Sequence, residues 1–255
     1  MYYCCAITAQ GVREHNEDAL LLHKLVLTEG MTEARLTAPF MAAVADGVSG
    51  ENGGEIASET CLKLLSSINF SSRTDLDEEL NIIHATLAQL GAADEETRNM
   101  QTTLCAVGID ENEELHTVNV GDSRLYRYRN GSLSQLSRDQ SLVQMLYEEG
   151  SIHHWEMGTH KQKHVIFPVL GNLSSTPIFD IQMHHEKVEY GDILLLCSDG
   201  LSDVVSTLEI EEILAKPKPL VRRMQLLREL AQENGSRDNI SVLALTKTAN
   251  ERKRS

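Results

Sequence analysis

Four apolar runs in this 255-residue chain stop or start beside an aspartate with a small neighbour. They are Val44-Ala45-Asp46-Gly47, Val120-Gly121-Asp122-Ser123, Cys197-Ser198-Asp199-Gly200 and Arg237-Asp238-Asn239-Ile240. A carboxylate beside a buried strand is costly to desolvate unless something compensates it. One reading is local, because Asp-Gly pairs make turns and Asx side chains cap loops. The other is collective: minimal neighbours let several carboxylates and backbone carbonyls converge on one point. Hard oxygen donors of that kind suit Mg²⁺ or Mn²⁺.

The rest of the chain supplies a frame for such convergence. Residues 2–10, 19–27 and Phe40 to Ala45 read as strands. Ala57, Cys61, Leu64, Leu65 and Ile68 recur at helical spacing. So do Leu76, Leu80, Ile83, Leu87 and Leu90, with Gly91 as the expected stop. The middle is β-rich. Residues 102–109 and 115–120 flank a polar turn, and Asn130-Gly131 joins Leu125–Arg129 to Leu133–Leu136 as a two-residue hairpin. A short helix is expected over Ser141 to Glu149. Residues 151–171 are histidine-rich and aperiodic, as an exposed insertion or flap would be. Ile178 to His184, Ile193 to Cys197 and Ile240 to Leu245 read as strands. Leu220, Val221, Met224, Leu227 and Ala231 mark a long helix, and Lys247 to Ser255 a polar tail. Strands grouped by hairpins favour antiparallel sheets with helices on their outer faces. No linker or repeat divides the chain, so a single domain over 1–246 is expected.

Composition narrows the function classes. A net charge of −15 argues against nucleic acid, whose binders need basic surface to displace counterions from phosphates. It is equally unsuited to anionic lipid. The five cysteines are odd in number and lack zinc-knuckle spacing, and three of them, Cys61, Cys105 and Cys197, lie in apolar stretches and read as buried thiols of a reducing compartment. No signal peptide is apparent, and no apolar run is long enough to span a bilayer. A cytoplasmic protein is expected.

The segment Gly11-Val12-Arg13-Glu14-His15-Asn16-Glu17-Asp18 sets one arginine near two carboxylates; an arginine fork can hold phosphate oxygens bidentately. Together with this loop, the pieces resemble in order the type 2C family of metal-dependent protein phosphatases. Arg13 to Asp18 is similar to its opening Arg-x-x-x-Glu-Asp motif. Asp46 to Gly50, continuing through Gly54-Glu55-Ile56-Ala57-Ser58, is similar to its Asp-Gly-x-Gly-Gly motif and the helix behind it. Gly121 to Arg124, Asp139 to Val143, Leu170-Gly171-Asn172, Ser198 to Leu201 and Asp238-Asn239 resemble later motifs. The resemblance spans about residues 1 to 246 and is nearest the compact bacterial members.

The resemblance implies an α+β fold, a four-layer α-β-β-α sandwich of two antiparallel sheets flanked by helices. It implies two or three Mn²⁺ or Mg²⁺ ions in a cleft. Asp46 would bridge two ions and the Gly47 carbonyl would bind one of them. Asp199 and Asp238 would hold the other, and Asp122 with Asp199 a third. Glu17 and Asp18 would act through water, and Arg13 would bind phosphate. The implied reaction is hydrolysis of phosphoserine or phosphothreonine in proteins by a metal-activated water. The implied setting is a monomer opposing a serine/threonine kinase in signal transduction. Small phosphoesters as substrates, or phosphoprotein binding without catalysis, are the rival functions. Val48, Ser49, Glu51 and Gln140 depart from residues common in the family. They leave the proton donor as a metal-bound water, with His15 the other candidate. His153, His154, His160 and His164 raise the idea of zinc, with His160 and His164 on one helical face. Clustered exposed histidines are more often incidental, or touch substrate peptide from the flap.

Overall fold

The computed structural model describes residues 1–48, 53–95, 97–174, 177–184 and 186–249. Ser49, Gly50 and Glu51 of the Asp46 motif, and tail residues 250–255, lie outside them. Twelve strands form two six-stranded antiparallel sheets. The first sheet has the order β4(Gly30–Leu36), β1(Tyr2–Ala9), β12(Ile240–Lys247), β11(Ile193–Cys197), β8(Arg124–Arg129), β9(Ser132–Gln135). The second has the order β10(Asp180–His184), β7(Leu115–Val120), β6(Leu104–Ile109), β5(Phe40–Asp46), β2(Asp18–Leu22), β3(Leu25–Leu27). Helices α1(Gly54–Ser67) and α2(Leu76–Ala93) cover the second sheet. Helices α5(Asp199–Ser202), α6(Thr207–Leu214) and α7(Leu220–Glu233) cover the first. The short helices α3(Leu142–Glu148) and α4(His154–Met157) lie between β9 and β10 in the chain.

Strand alternation explains the unbroken apolar runs. Phe40, Ala42 and Val44 of β5 face the layer between the sheets, while Met41, Ala43 and Ala45 face α1 and α2. On β12, Leu243 and Leu245 point inward and Val242 and Ala244 pack under α7. Both faces of these central strands are covered. A polar/apolar alternation is therefore absent although the sheets are antiparallel.

Several elements differ from the expectation. Gly91 is buried inside α2, which runs two residues further; it faces Thr97 and Met100 closely enough that a Cβ would crowd them. β4 was not anticipated, because it is an edge strand with exposed residues between half-buried ones and carries little apolar signal. α6 was also missed. Its start does carry a signal, the Ser206/Glu209 capping box. Lys247 is the last residue of β12, not part of a frayed tail, and its Nζ donates to Glu113 at 2.7 Å. Residues 161–164 form turns and no helix spans His160 to His164, so these two share no helical face.

Candidate metal centre

Antiparallel pairing brings the ends of separate strands to one edge of the sandwich. β5 ends at Asp46, and its neighbour-but-one β7 ends at Val120, just before Asp122. In the other sheet β11 ends at Cys197, before Asp199, beside the start of β12, after Asp238. Asp18 at the start of β2 pairs directly with Asp46. The result is a cleft of about 370 Å³ lined by Asp46, Asp122, Asp199, Asp238, Arg13 and Gly47, among others.

Close backbone approach makes this possible. A Cβ on Gly200 would lie 1.9 Å from the Asn239 carbonyl oxygen, and one on Gly47 would lie 2.3 Å from that of Gly54. Glycine at 200 therefore lets the loop carrying Asp199 press against the one carrying Asp238. Gly200→Ala is expected to cost about 1–3 kcal/mol through overpacking and to raise the Mn²⁺ concentration needed for half-maximal activity. Thermal melts and a metal titration of the variant would check both.

Hydrogen bonds fix the strand ends. Thr103 Oγ1 accepts from Asp46 N at 3.1 Å, and Thr102 Oγ1 donates to the Asp46 carbonyl at 2.9 Å. Gln140 accepts from Gly121 N at 2.8 Å through Oε1, steadying the approach to Asp122. Arg124 is bound to Asp139, with Nη2 to Oδ2 at 2.7 Å. Ser198 Oγ donates to Asp18 Oδ2 at 2.8 Å, and the Asp18 side chain is buried behind the cleft. Glu17 joins through its backbone: its N–H donates to Asn239 Oδ1 and its carbonyl accepts from Gly47 N. Arg13 donates from Nη2 to Asp238 Oδ2 at 2.6 Å and from Nε to the Arg237 carbonyl at 3.0 Å.

These carboxylates are short of positive charge. Burial pushes Asp46 well above the usual carboxylate range, and repulsion from Asp18, Asp199, Asp122 and Asp238 adds to it. Asp199 is raised well above that range by burial, then by Asp122, Asp238 and Asp203. Asp122 is pushed up to about 7 by burial, then by Asp139 and Asp203. Burial raises Asp18 to about 6 against the pull of its serine partners. The buried Oδ1 atoms of Asp18 and Asp199 accept no hydrogen bond among the described residues. An all-oxygen set of mutually repelling carboxylates with orphaned acceptors fits hard divalent cations, which would supply the missing charge.

Other anticipated residues fall elsewhere. The exposed His15 uses its backbone carbonyl to accept from Asn239 Nδ2 at 2.9 Å, and the residue does not line the cleft. Among the four flap histidines, His164 alone lines it. Lys163 and Asp203 also line the cleft and were not singled out from sequence. Asp203 follows Asp199 at the i+4 spacing that stacks helical neighbours, a signal that was available. Lys163 carried none, because it lies in an aperiodic segment.

The chain matches the family profile described as Protein phosphatase 2C over residues 16–241. It is 30% identical over 241 residues to the serine/threonine phosphatase stp of Listeria welshimeri, covering 91% of this chain and 90% of that one. The structure of the S. agalactiae serine/threonine phosphatase superposes with a TM-score of 0.83 at 27% identity, covering 97% and 100% of the two chains. The catalytic domain of the serine/threonine protein phosphatase PstP, in complex with two manganese ions, gives a TM-score of 0.77 at 29% identity, with 96% and 99% covered.

Proposed function

This chain belongs to the protein phosphatase 2C family, and from that premise we infer that it is a metal-dependent serine/threonine protein phosphatase whose cations are held in the Asp46/Asp199/Asp238 cleft. The observation that carries the reading is the meeting of four strand-end aspartates in one cleft with too little cationic charge around them. Asp46 would hold both of two ions, as it ends β5 in the cleft that Asp122, Asp199 and Asp238 also line. The Gly47 carbonyl is assigned to one ion, Asp199 and Asp238 to the other, and Asp122 with Asp199 to a third. Oxygen donors throughout suit Mn²⁺ or Mg²⁺. When bound, such ions supply Lewis acidity toward water and phosphoryl oxygen.

The chain's own residues supply the remainder. Arg13 spends two of its five N–H donors on Asp238 and Arg237. The others have no protein acceptor among the described residues and can take phosphoryl oxygens. Asp238 holds the guanidinium at the cleft wall, so the phosphate-binding group is oriented before substrate arrives. Asp18 is held by Ser198, and Glu17 sits beside Gly54; we assign both to ordering water around the centre. Arg13→Ala is expected to raise KM for a phosphopeptide about tenfold with a smaller change in kcat. Steady-state kinetics check this, and an unchanged KM would remove Arg13 from phosphate binding.

The substrates are phosphorylated proteins, and a serine/threonine kinase is the opposing activity. The five cysteines are free and buried, which supports a cytoplasmic setting. No helix of the described residues is long and apolar enough to cross a membrane. The charge of −15 opposes self-association and supports a monomer. Release of phosphate from a phosphothreonine peptide with Mn²⁺, with and without EDTA, tests the reading, and a sugar-phosphate panel serves as comparison. Peptide turnover that EDTA abolishes is expected. Turnover confined to sugar phosphates, or peptide binding without release, would overturn it.

A further inference from the structure

On the outer side of the first sheet, α7 and the strands β1 and β4 leave a groove of about 280 Å³. Ile7 and Met31, partners across β1 and β4, line one side of it, and Arg222, Gln225 and Arg228 of α7 line the other. Gln225 Nε2 donates to Met31 Sδ at 3.6 Å. The charge here runs against the rest of the chain. Acids outnumber bases 38 to 23 overall, yet Lys216 to Arg228 carries five cations and no carboxylate. Arg223 turns aside and donates to the Leu214 carbonyl. Arg222 is matched by Glu229, Nη1 to Oε1 at 2.8 Å. Arg228 has no such match. Among the described residues it makes no hydrogen bond or ion pair, and its Nε is buried without an acceptor. A guanidinium carries five donors, and a buried donor left unmet is costly.

Resting on the phosphatase reading above, we propose that this groove docks an acidic segment of the phosphoprotein substrate, with Arg228 as its anchor. A carboxylate from outside supplies the missing acceptor, and the arginine fork takes it bidentately. Ile7 and the 47% exposed Met31 give the aliphatic part of such a segment an apolar surface. Glu229, the carboxylate that lines the groove, is already neutralised by Arg222. The net charge of −15 opposes docking little at physiological salt, where exposed charges are largely screened beyond about 8 Å. Position links the groove to the cleft. Thr8 also lines it, near the end of β1, and the chain runs on from there to Arg13. Those five residues span at most ~18 Å. A substrate whose phosphate meets Arg13 therefore reaches the groove with roughly five to eight residues of extended chain.

A labelled, unphosphorylated hexapeptide of Asp and Glu tests the groove by fluorescence anisotropy with the full chain in EDTA. The metal-free cleft is itself acidic and gives such a peptide nothing to bind. Saturable binding that weakens with added salt is expected, against none for a Ser/Gly hexapeptide. Arg228→Ala should raise Kd about tenfold, and Arg228→Lys should recover part of the loss. Phosphothreonine peptides test the link to turnover. They carry the acidic run roughly five to eight residues before or after the phosphate, or Ser/Gly in its place. With Mn²⁺, the acidic peptide of the better orientation is expected to show about tenfold higher kcat/KM than the neutral one, through KM. Arg228→Ala should bring that ratio to about one, and the ratio cancels any loss of folded enzyme in the variant. No binding in EDTA, an unmoved Kd in Arg228→Ala, or equal kcat/KM for both peptides in the wild type would overturn the docking site; hydrolysis of the neutral peptide would still uphold the phosphatase reading. Arg228-dependent binding with neither peptide hydrolysed would overturn the phosphatase reading and leave the groove as an acidic-peptide site.

Discussion

Asp46→Asn is expected to lower kcat for phosphopeptide hydrolysis by about a thousandfold, about 4 kcal/mol of transition-state stabilisation. The carboxylate lies at the end of β5, faces the other cleft acids, and is the group assigned to both ions. An amide keeps the shape and loses the charge. Folding is expected to respond in the opposite direction. Metal-free Asp46→Asn at pH 8 should be at least as stable as the parent chain, because one member of a mutually repelling set has been neutralised. Kinetics with saturating Mn²⁺ and thermal melts in EDTA measure the two effects. Retention of full activity would remove Asp46 from the centre, and loss of the fold would show that its role is structural.

The stabilisation given by Mn²⁺ is expected to widen steadily from pH 5 to pH 8. Asp18, Asp46, Asp122 and Asp199 are all raised in the folded, metal-free chain. Unfolded aspartates titrate near about 3.9. The folded state therefore holds more protons through this window. The stabilising contribution of these groups is fully present below the unfolded value. It is lost as pH rises through about 6 for Asp18 and about 7 for Asp122, and still higher for Asp46 and Asp199. His84 and His184, held down chiefly by burial, act in the other sense near neutrality. The depressed carboxylates of Glu113 and Asp192 are already charged in both states above pH 5. The difference between Mn²⁺ and EDTA melts cancels these common contributions. Each 1 kcal/mol should shift Tm by about 2–4 °C for a chain of this size. A gap that narrows with rising pH would contradict the carboxylate cluster, since cation binding needs these groups deprotonated.

Much of the frame was legible before any coordinates. Leu76, Leu80, Ile83 and Leu87 of α2 and the Asn130-Gly131 hairpin obey local periods and turn preferences, which the chain carries in its own order. The central strands β5 and β11 announced themselves as apolar runs because helices cover one face and the opposite sheet the other. β4 was silent for the converse reason: at an edge it pairs only with β1, and its exposed residues Met31, Glu33 and Arg35 alternate with half-buried ones.

The same division holds at the site. Asp46, Asp122, Asp199 and Asp238 stood out because a carboxylate ending a buried strand is anomalous in sequence alone. Their order also matched a family pattern, so the sequence by itself determined the class of fold and the acids to watch. Only the tertiary structure decided that Asp203, Lys163 and His164 share the cleft, and that His15 does not line it. Proximity between Lys163 and Asp203, forty residues apart, depends on how an aperiodic flap lies across the sheet edge. No local propensity encodes that placement; it follows from the packing of whole layers and from the charge the flap meets there.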